Sequence, residues 1–208
     1  MNVFQIKTKP HNIERGRQFI EENFICIGWP GIGSLDHLSK DEIRGLLEKK
    51  YRYTGHSLGN NLGQVNSFVN TMKIGDVVII TEKSWAHIGI VGNYEYYPQY
   101  DSDKDGMCHK RSVNWISRVL IVELNSSIQK LLSNRNTICL YPETFEDSGL
   151  EKYLFNNVTE GHKQKNKFEE MYETALKIIE SELTSSDIDR RFNAAVEILR
   201  LKNISNFN

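Results

Sequence analysis

Cysteine is scarce in this chain, and what little there is forms no pattern. Cys26, Cys108 and Cys139 make an odd set with no Cys-x-x-Cys pair, so neither a disulfide framework nor a zinc ribbon is indicated. Cys26 and Cys139 lie in apolar runs as reduced core cysteines do, while Cys108 stands in a polar loop. The six histidines are scattered, with no i, i+4 pair and no carboxylate at ligand spacing, so no metal and no cofactor is expected. An excess of one charge sign is also missing. Lys and Arg number 26 against 27 Asp and Glu, which argues against a protein that holds nucleic acid chiefly by neutralising phosphates. Long apolar runs are absent, none approaching the roughly 18 residues a membrane helix needs. The N-terminus lacks the order of a signal peptide, and the expected location is the cytoplasm.

Catalytic signatures are equally thin. The glycines after Ile27 do not follow Gly-x-Gly-x-x-Gly spacing and no Lys-Ser pair accompanies them. Cys108 and His109 are neighbours whose side chains point opposite ways on a strand, the wrong geometry for a thiolate pair. Asp101-Ser102-Asp103-Lys104-Asp105-Gly106 matches the first half of a calcium loop, but the twelfth position is Ser112 rather than glutamate, and the stretch reads as a solvated hairpin tip. No catalytic residue is assigned and no enzyme is expected.

Against these absences stands a short apolar run, Phe24-Ile25-Cys26-Ile27, broken by Gly28-Trp29-Pro30-Gly31-Ile32-Gly33. It reads as a buried strand whose open end carries a tryptophan, which either plugs a small barrel or forms a wall for a flat ligand. Around it the pattern gives a strand at Val3 to Lys7, a helix over 12–23, and a helix from Ser39, where Glu42 completes a capping box, to about Tyr51. Residues 52–63, with three glycines and two asparagines, read as loop, followed by a helix through Gln64 to Met72. Val77 to Ile80 is the most strand-like run, then a loop 81–86 carrying Trp85, a strand from His87 through Tyr97, a polar loop 98–109, and one or two closing strands in Ser112 to Leu124. The first half is thus a small, mixed, largely antiparallel sheet with helices inserted early, an α+β arrangement. Beyond residue 125 come a short helix over 126–134, a polar connector from Tyr141, and two amphipathic helices, over 166–183 and after Asp187. The expected division is residues 1–125 and 126–208.

Aromatic residues at strand ends and loops are the remaining signal: Trp29, Trp85, Tyr94, Tyr96, Tyr97 and Trp115. Trp29 and Trp85 sit among turn residues, where a large ring implies inward packing or a covering ligand. A flipped base offers flat faces to such rings while polar groups read its edge. Asn60, Asn61, Gln64 and Ser84 are the candidates for that edge, with Gly28 allowing close approach, and Lys83, His109, Lys110 and Arg111 the candidates for adjoining phosphates.

The series Ile27 to Leu35, Asn61 to Phe68, Lys73 to Val78, Ile88 to Tyr96 and His109 to Trp115 resembles the N-terminal recognition domain of some modification-dependent and Mrr-type restriction endonucleases. More broadly it resembles the PUA-like superfamily, which includes EVE and YTH modules. The resemblance covers about residues 1–125. It implies a small β-barrel flanked by helices, with a modified base held between Trp29 and Tyr94 or Tyr96 and with Trp85 on a loop closing over the pocket. Ser34 stands where the pattern often has aspartate. Lys165 to Glu170 is faintly similar to the first helix of an Mrr-type nuclease, but no Asp and Glu-x-Lys strand follows. The resulting expectation is a reader of a methylated or flipped DNA base in a restriction or defence system, working with an effector nuclease or motor subunit and able to dimerise through its C-terminal helices, with no membrane partner. Two alternatives remain: a PUA-like RNA binder, and a structural or regulatory protein acting through those helices.

Overall fold

The computed structural model describes residues 1–154, 174–175 and 177–205. Its first compact unit, Met1–Asn157, is built on one six-stranded sheet of order β2-β5-β4-β3-β1-β6, curled into a half-barrel. The strands are β1 (Val3–Ile6), β2 (Phe24–Ile27), β3 (Val77–Glu82), β4 (Trp85–Tyr96), β5 (His109–Leu120) and β6 (Ile138–Leu140). All neighbours are antiparallel except β1 and β3, which run parallel with Val3 opposite Val77. The end strands β2 and β6 are not bonded to each other, so the expected barrel is an open sheet.

Alternation of side chains divides the sheet between two cores. Phe4 and Ile6 of β1 and Val78 and Ile80 of β3 face one cluster together with α1 (Gly16–Glu21), α2 (Lys40–Tyr51) and α3 (Gly55–Asn66). Val3, Val77 and Ile79 face the other, closed by Ile128, Leu131 and Leu132 of α4 (Ser126–Leu132). Because α4 covers a sheet face and β6 pairs with β1, the first unit runs past the boundary expected at residue 125.

Local chemistry accounts for several elements. The Ser39 hydroxyl accepts from Glu42 N–H while the Glu42 carboxylate accepts from Ser39 N–H at 2.7 Å, the expected capping box. In contrast, α3 forms where a loop was expected. Its glycines and asparagines are poor helix formers, but Leu58, Leu62 and Val65 are buried in the first core, and that burial outweighs propensity. The expected helix over 12–23 shortens to α1, preceded by a 3-10 turn at Pro10–Asn12.

α3 runs into a π-turn, Ser67–Thr71, whose end is held by Arg111 of β5. The guanidinium donates to the carbonyls of Phe68 at 2.8 Å and of Gly92, Val69 and Met72 at 3.0 Å each. A buried cation placed at the C-terminal end of a helix also meets the negative end of its dipole.

In the second unit, Val158–Asn208, the described residues include helical turns over 177–183 and the helix Ile188–Ser205, where the Asp187 carboxylate accepts from Asp189 N–H at 2.9 Å. Half of the expected helix over 166–183, and the run Lys165 to Glu170, lies outside the described residues. Among the described residues no helix is long and apolar enough to cross a membrane.

Arg111→Met strands carbonyls that Arg111 satisfies. It is expected to lower unfolding free energy in urea by about 4 kcal/mol, whereas Lys83→Met, at an exposed turn, changes it by less than about 0.5 kcal/mol.

Candidate ligand site at the Trp29 turn

The turn that follows β2 is strained and tightly held. Gly28 lies against the chain at His11, where a Cβ would stand 3.1 Å from the His11 nitrogen. Trp29 then takes φ +67°, a left-handed conformation costing a bulky L residue about 1–2 kcal/mol. Its neighbours hold it there: Tyr51 donates to the Pro30 carbonyl at 2.6 Å, and Gly31 N–H donates to Asp101. The Trp29 ring is half-buried, packed on the first core with one part left open.

Beside this turn β4 and β5 bring three rings into a layer. The register sets Tyr96 opposite His109, and His109 opposite Ile27 at the end of β2. The His109 ring stacks on Tyr94 with centroids 6.2 Å apart and planes at 18°, and Tyr96 lies 5.7 Å away at 37°. Tyr94 Oη is 2.8 Å from His109 Nδ1 and accepts from Leu35 N–H at 3.2 Å. Because Tyr94 Oη already accepts from Leu35, donation from Tyr94 to Nδ1 is the consistent assignment, and it puts the imidazole hydrogen on Nε2. Nε2 is buried on the side of the Trp29 carbonyl yet makes no hydrogen bond of normal geometry.

Burial pushes the His109 pKa down to about 4, against the opposing influence of Asp101 and the Trp29 carbonyl, so the ring is neutral near pH 7. Burial raises Asp101, but hydrogen bonds from Tyr96 at 2.6 Å, from Gly31 N–H and from the Cys108 thiol outweigh it and keep the carboxylate ionised. Burial and the facing Asp101 push Tyr96 and Cys108 up to about 12. Cys108 is therefore a protonated, buried donor and not the exposed thiol its polar surroundings suggested.

Two adjoining clefts open on this layer, sharing Asp36 and Tyr94. One of about 410 Å³ includes Ser34, Glu95, Tyr96 and Tyr97, and one of about 520 Å³ includes His37, Asn70, Lys73 and Asn93. The groove therefore offers ring faces, polar hydrogen-bond donors and acceptors, carboxylates at Asp36 and Glu95, and an ammonium at Lys73. This equipment suits recognition of a flat polar molecule.

The other expected site residues are dispersed. Trp85 is the first residue of β4, paired with Glu82 and Leu120, and only Lys83 and Ser84 form the turn before it. Nine residues of strand separate Trp85 from Tyr94, about 30 Å, so the expected closing loop lies at the opposite end of the sheet. There the Arg118 guanidinium stands 4.1 Å over the Trp85 ring. Asn60 and Gln64 line a separate cavity of about 580 Å³ between α3, α4 and β6, where Gln64 accepts from Thr137 N–H at 2.7 Å. Asn61 donates to the Ser57 carbonyl at 2.8 Å within α3. The four expected phosphate contacts form no patch: Lys83 is at the far turn, His109 is buried and neutral, Arg111 is occupied by carbonyls, and Lys110 points to the opposite face. Sequence reasoning missed Asp36, Tyr51 and Asp101. The placement of Asp101 between Tyr96 and His109, the two ends of a hairpin, was the available signal.

Residues 5–139 match the family described as Domain of unknown function (DUF8426). No curated protein matches the chain.

The folded imidazole titrates near pH 4 against an ordinary value of 6.5, so its contribution is complete above about pH 6.5 and is lost as pH falls toward about 4. Going from about pH 7.5 to about pH 4.5 is expected to cost wild type about 2.5 kcal/mol more than His109→Gln, read from urea unfolding at both pH values. His87, also depressed by burial, acts alike in both proteins and cancels.

Proposed function

We propose that this chain, which belongs to the DUF8426 family, is a reader that takes a single base of DNA into the groove beside Trp29. The observation that carries this reading is the Trp29 turn: a half-buried residue held at φ +67°, its backbone against His109 of the Tyr94, His109 and Tyr96 layer, with its ring outside the lining of the two clefts. Strain of that kind persists where surrounding contacts enforce it, and it concentrates at ligand sites. A base stacked on Trp29 gains about 1–3 kcal/mol. Ser34, Asp36, Asn70 and Asn93 supply donors and acceptors for its edge. The near-neutral charge favours a base-specific pocket over general backbone attraction.

The curled sheet with helices on both cores is compatible with a PUA-like domain, and the motif resemblance supports the same reading. On that reading the base is a methylated or otherwise modified one, flipped from the duplex, and the protein serves a restriction or defence system in which a separate nuclease or motor subunit acts. With Lys83 and Lys110 away from the groove and the Arg111 guanidinium, which lines it, taken up by four carbonyls, affinity for unmodified duplex is low and falls only weakly with salt.

Titration of fluorescent oligonucleotides, unmodified or carrying methylcytosine or methyladenine, tests this. One modified duplex is expected to bind at least about tenfold more tightly than its unmodified match, and Trp29→Ala to remove about 5- to 150-fold of that affinity while Trp85→Ala leaves it unchanged. Equal affinities unaffected by Trp29→Ala overturn the reading, and tighter binding of single-stranded RNA overturns the assignment to DNA.

A further inference from the structure

The faces of β4 and β5 opposite Tyr94, Tyr96 and His109 carry a second concavity, which shares Glu95 and Tyr97 at its edge with the cleft of about 410 Å³. Alternation along the strands turns Glu95 and Lys110 away from Tyr94, Tyr96, His109 and Arg111, and with them Ser112. Together with Phe24 of β2 and Tyr97 and Tyr100 from the connection after β4, they enclose a cavity of about 310 Å³.

Lys110 lies at its floor. The residue is only 8% exposed, and its Nζ sits 4.0 Å from the centre of the Phe24 ring, 4.5 Å from Tyr100 and 5.1 Å from Tyr97. Three ring faces stabilise the charge but accept none of its hydrogens along a normal hydrogen bond. Among the described residues no carboxylate approaches this ammonium within salt-bridge distance and no acceptor bonds to it. The Nζ is not fully enclosed but opens onto the cavity, so its three N–H groups are presented to whatever occupies it, water or a ligand that carries acceptors. The rim has the opposite character. Glu22 and Glu95 are exposed there, with Asn23 and Gln99 between them, and Glu95 is oriented by a hydrogen bond from Tyr97.

We propose that this cavity binds a free α-amino acid, its carboxylate directed inward to Lys110 and its ammonium outward to Glu22 and Glu95. Each simpler ligand fails on one count. A polyanion such as a nucleic-acid backbone meets two carboxylates at the entrance, a plain cation meets Lys110 already seated against the rings, and a neutral molecule leaves the ammonium uncompensated. The volume is at the small end of ligand pockets, the scale of a single amino acid, and the ring walls favour an apolar side chain.

Isothermal titration of the full chain with each of the twenty free L-amino acids, with acetate, with methylamine and with inorganic phosphate decides the matter. At least one amino acid is expected to bind in the micromolar to low-millimolar range, at least about tenfold more tightly than acetate, methylamine or phosphate. Lys110→Met, whose chain still fills the ring cage, is expected to abolish binding. Glu95→Gln, at the exposed rim, is expected to weaken it by at least about fivefold while circular dichroism stays unchanged. Trp29→Ala leaves it intact, which separates this site from the reader groove. Absence of binding by all amino acids, equal binding of acetate or phosphate, or full binding by both Lys110→Met and Glu95→Gln overturns the proposal. If Lys110→Met does not fold, Glu22→Gln and Glu95→Gln take its place, and full binding by both overturns the proposal.

Discussion

The register between β4 and β5 is the constraint on which both concave sites depend. It is fixed by close approach at two glycines. A Cβ on Gly92 would stand 2.1 Å from Ser112 Oγ, and one on Gly89 would stand 2.5 Å from Val113 Cγ1. The ladder shifts at both places, between Ile88 and Gly89 and between Val91 and Tyr94. The second shift brings Tyr94 opposite Arg111 and Tyr96 opposite His109. A slip of one residue would exchange the faces, placing Glu95 and Lys110 toward the first core and the tyrosines outside. The same register puts Arg111 under the π-turn, so the helix that roofs the core and the ring layer that faces the groove are set by one pairing.

Much of this fold was legible where a single physical signal dominated. The β-branched run at Val77 and the reciprocal Ser39 and Glu42 cap each specify their element locally, and the structure contains both. The misread elements are those whose cause lies far away in sequence. Residues 55–66 contain glycines and asparagines suited to a loop, yet Leu58, Leu62 and Val65 meet a core assembled from distant strands. Trp85 was assigned to a loop because polar or small residues surround it, but a two-residue turn is enough to close the β3 and β4 hairpin. β6 is three residues long and owes its existence to β1.

For the candidate site, the period of two along β4 placed Tyr94 and Tyr96 on one face, and the glycine-rich break after Ile27 marked the Trp29 turn. Partners and charge states were not readable in the same way. His109 and Arg111 look like available cations in the linear sequence, but one is neutralised by burial and the other is consumed by four carbonyls. Asp101 was masked by its calcium-like neighbours, although its work is to tie Gly31 to Tyr96. Burial and pairing are properties of the assembled sheet, and no window of sequence contains them.

The parallel pairing of β1 has a bearing on how the chain is made. β1 leaves the ribosome before either of its partners, and it lies between β3 and β6, with Val3 opposite Val77 and Phe4 opposite Leu140. At a synthesis rate of roughly 5–20 residues per second, the interval before β3 exists is several seconds, and β6 follows later still. During that interval Val3, Phe4 and Ile6 have no sheet to join, and the nascent segment depends on dilution or on chaperones to avoid pairing with other chains. The β3 and β4 hairpin is local in sequence while the β1 and β3 pairing is not, so a strand made before its partners must wait for an edge that is synthesised after it.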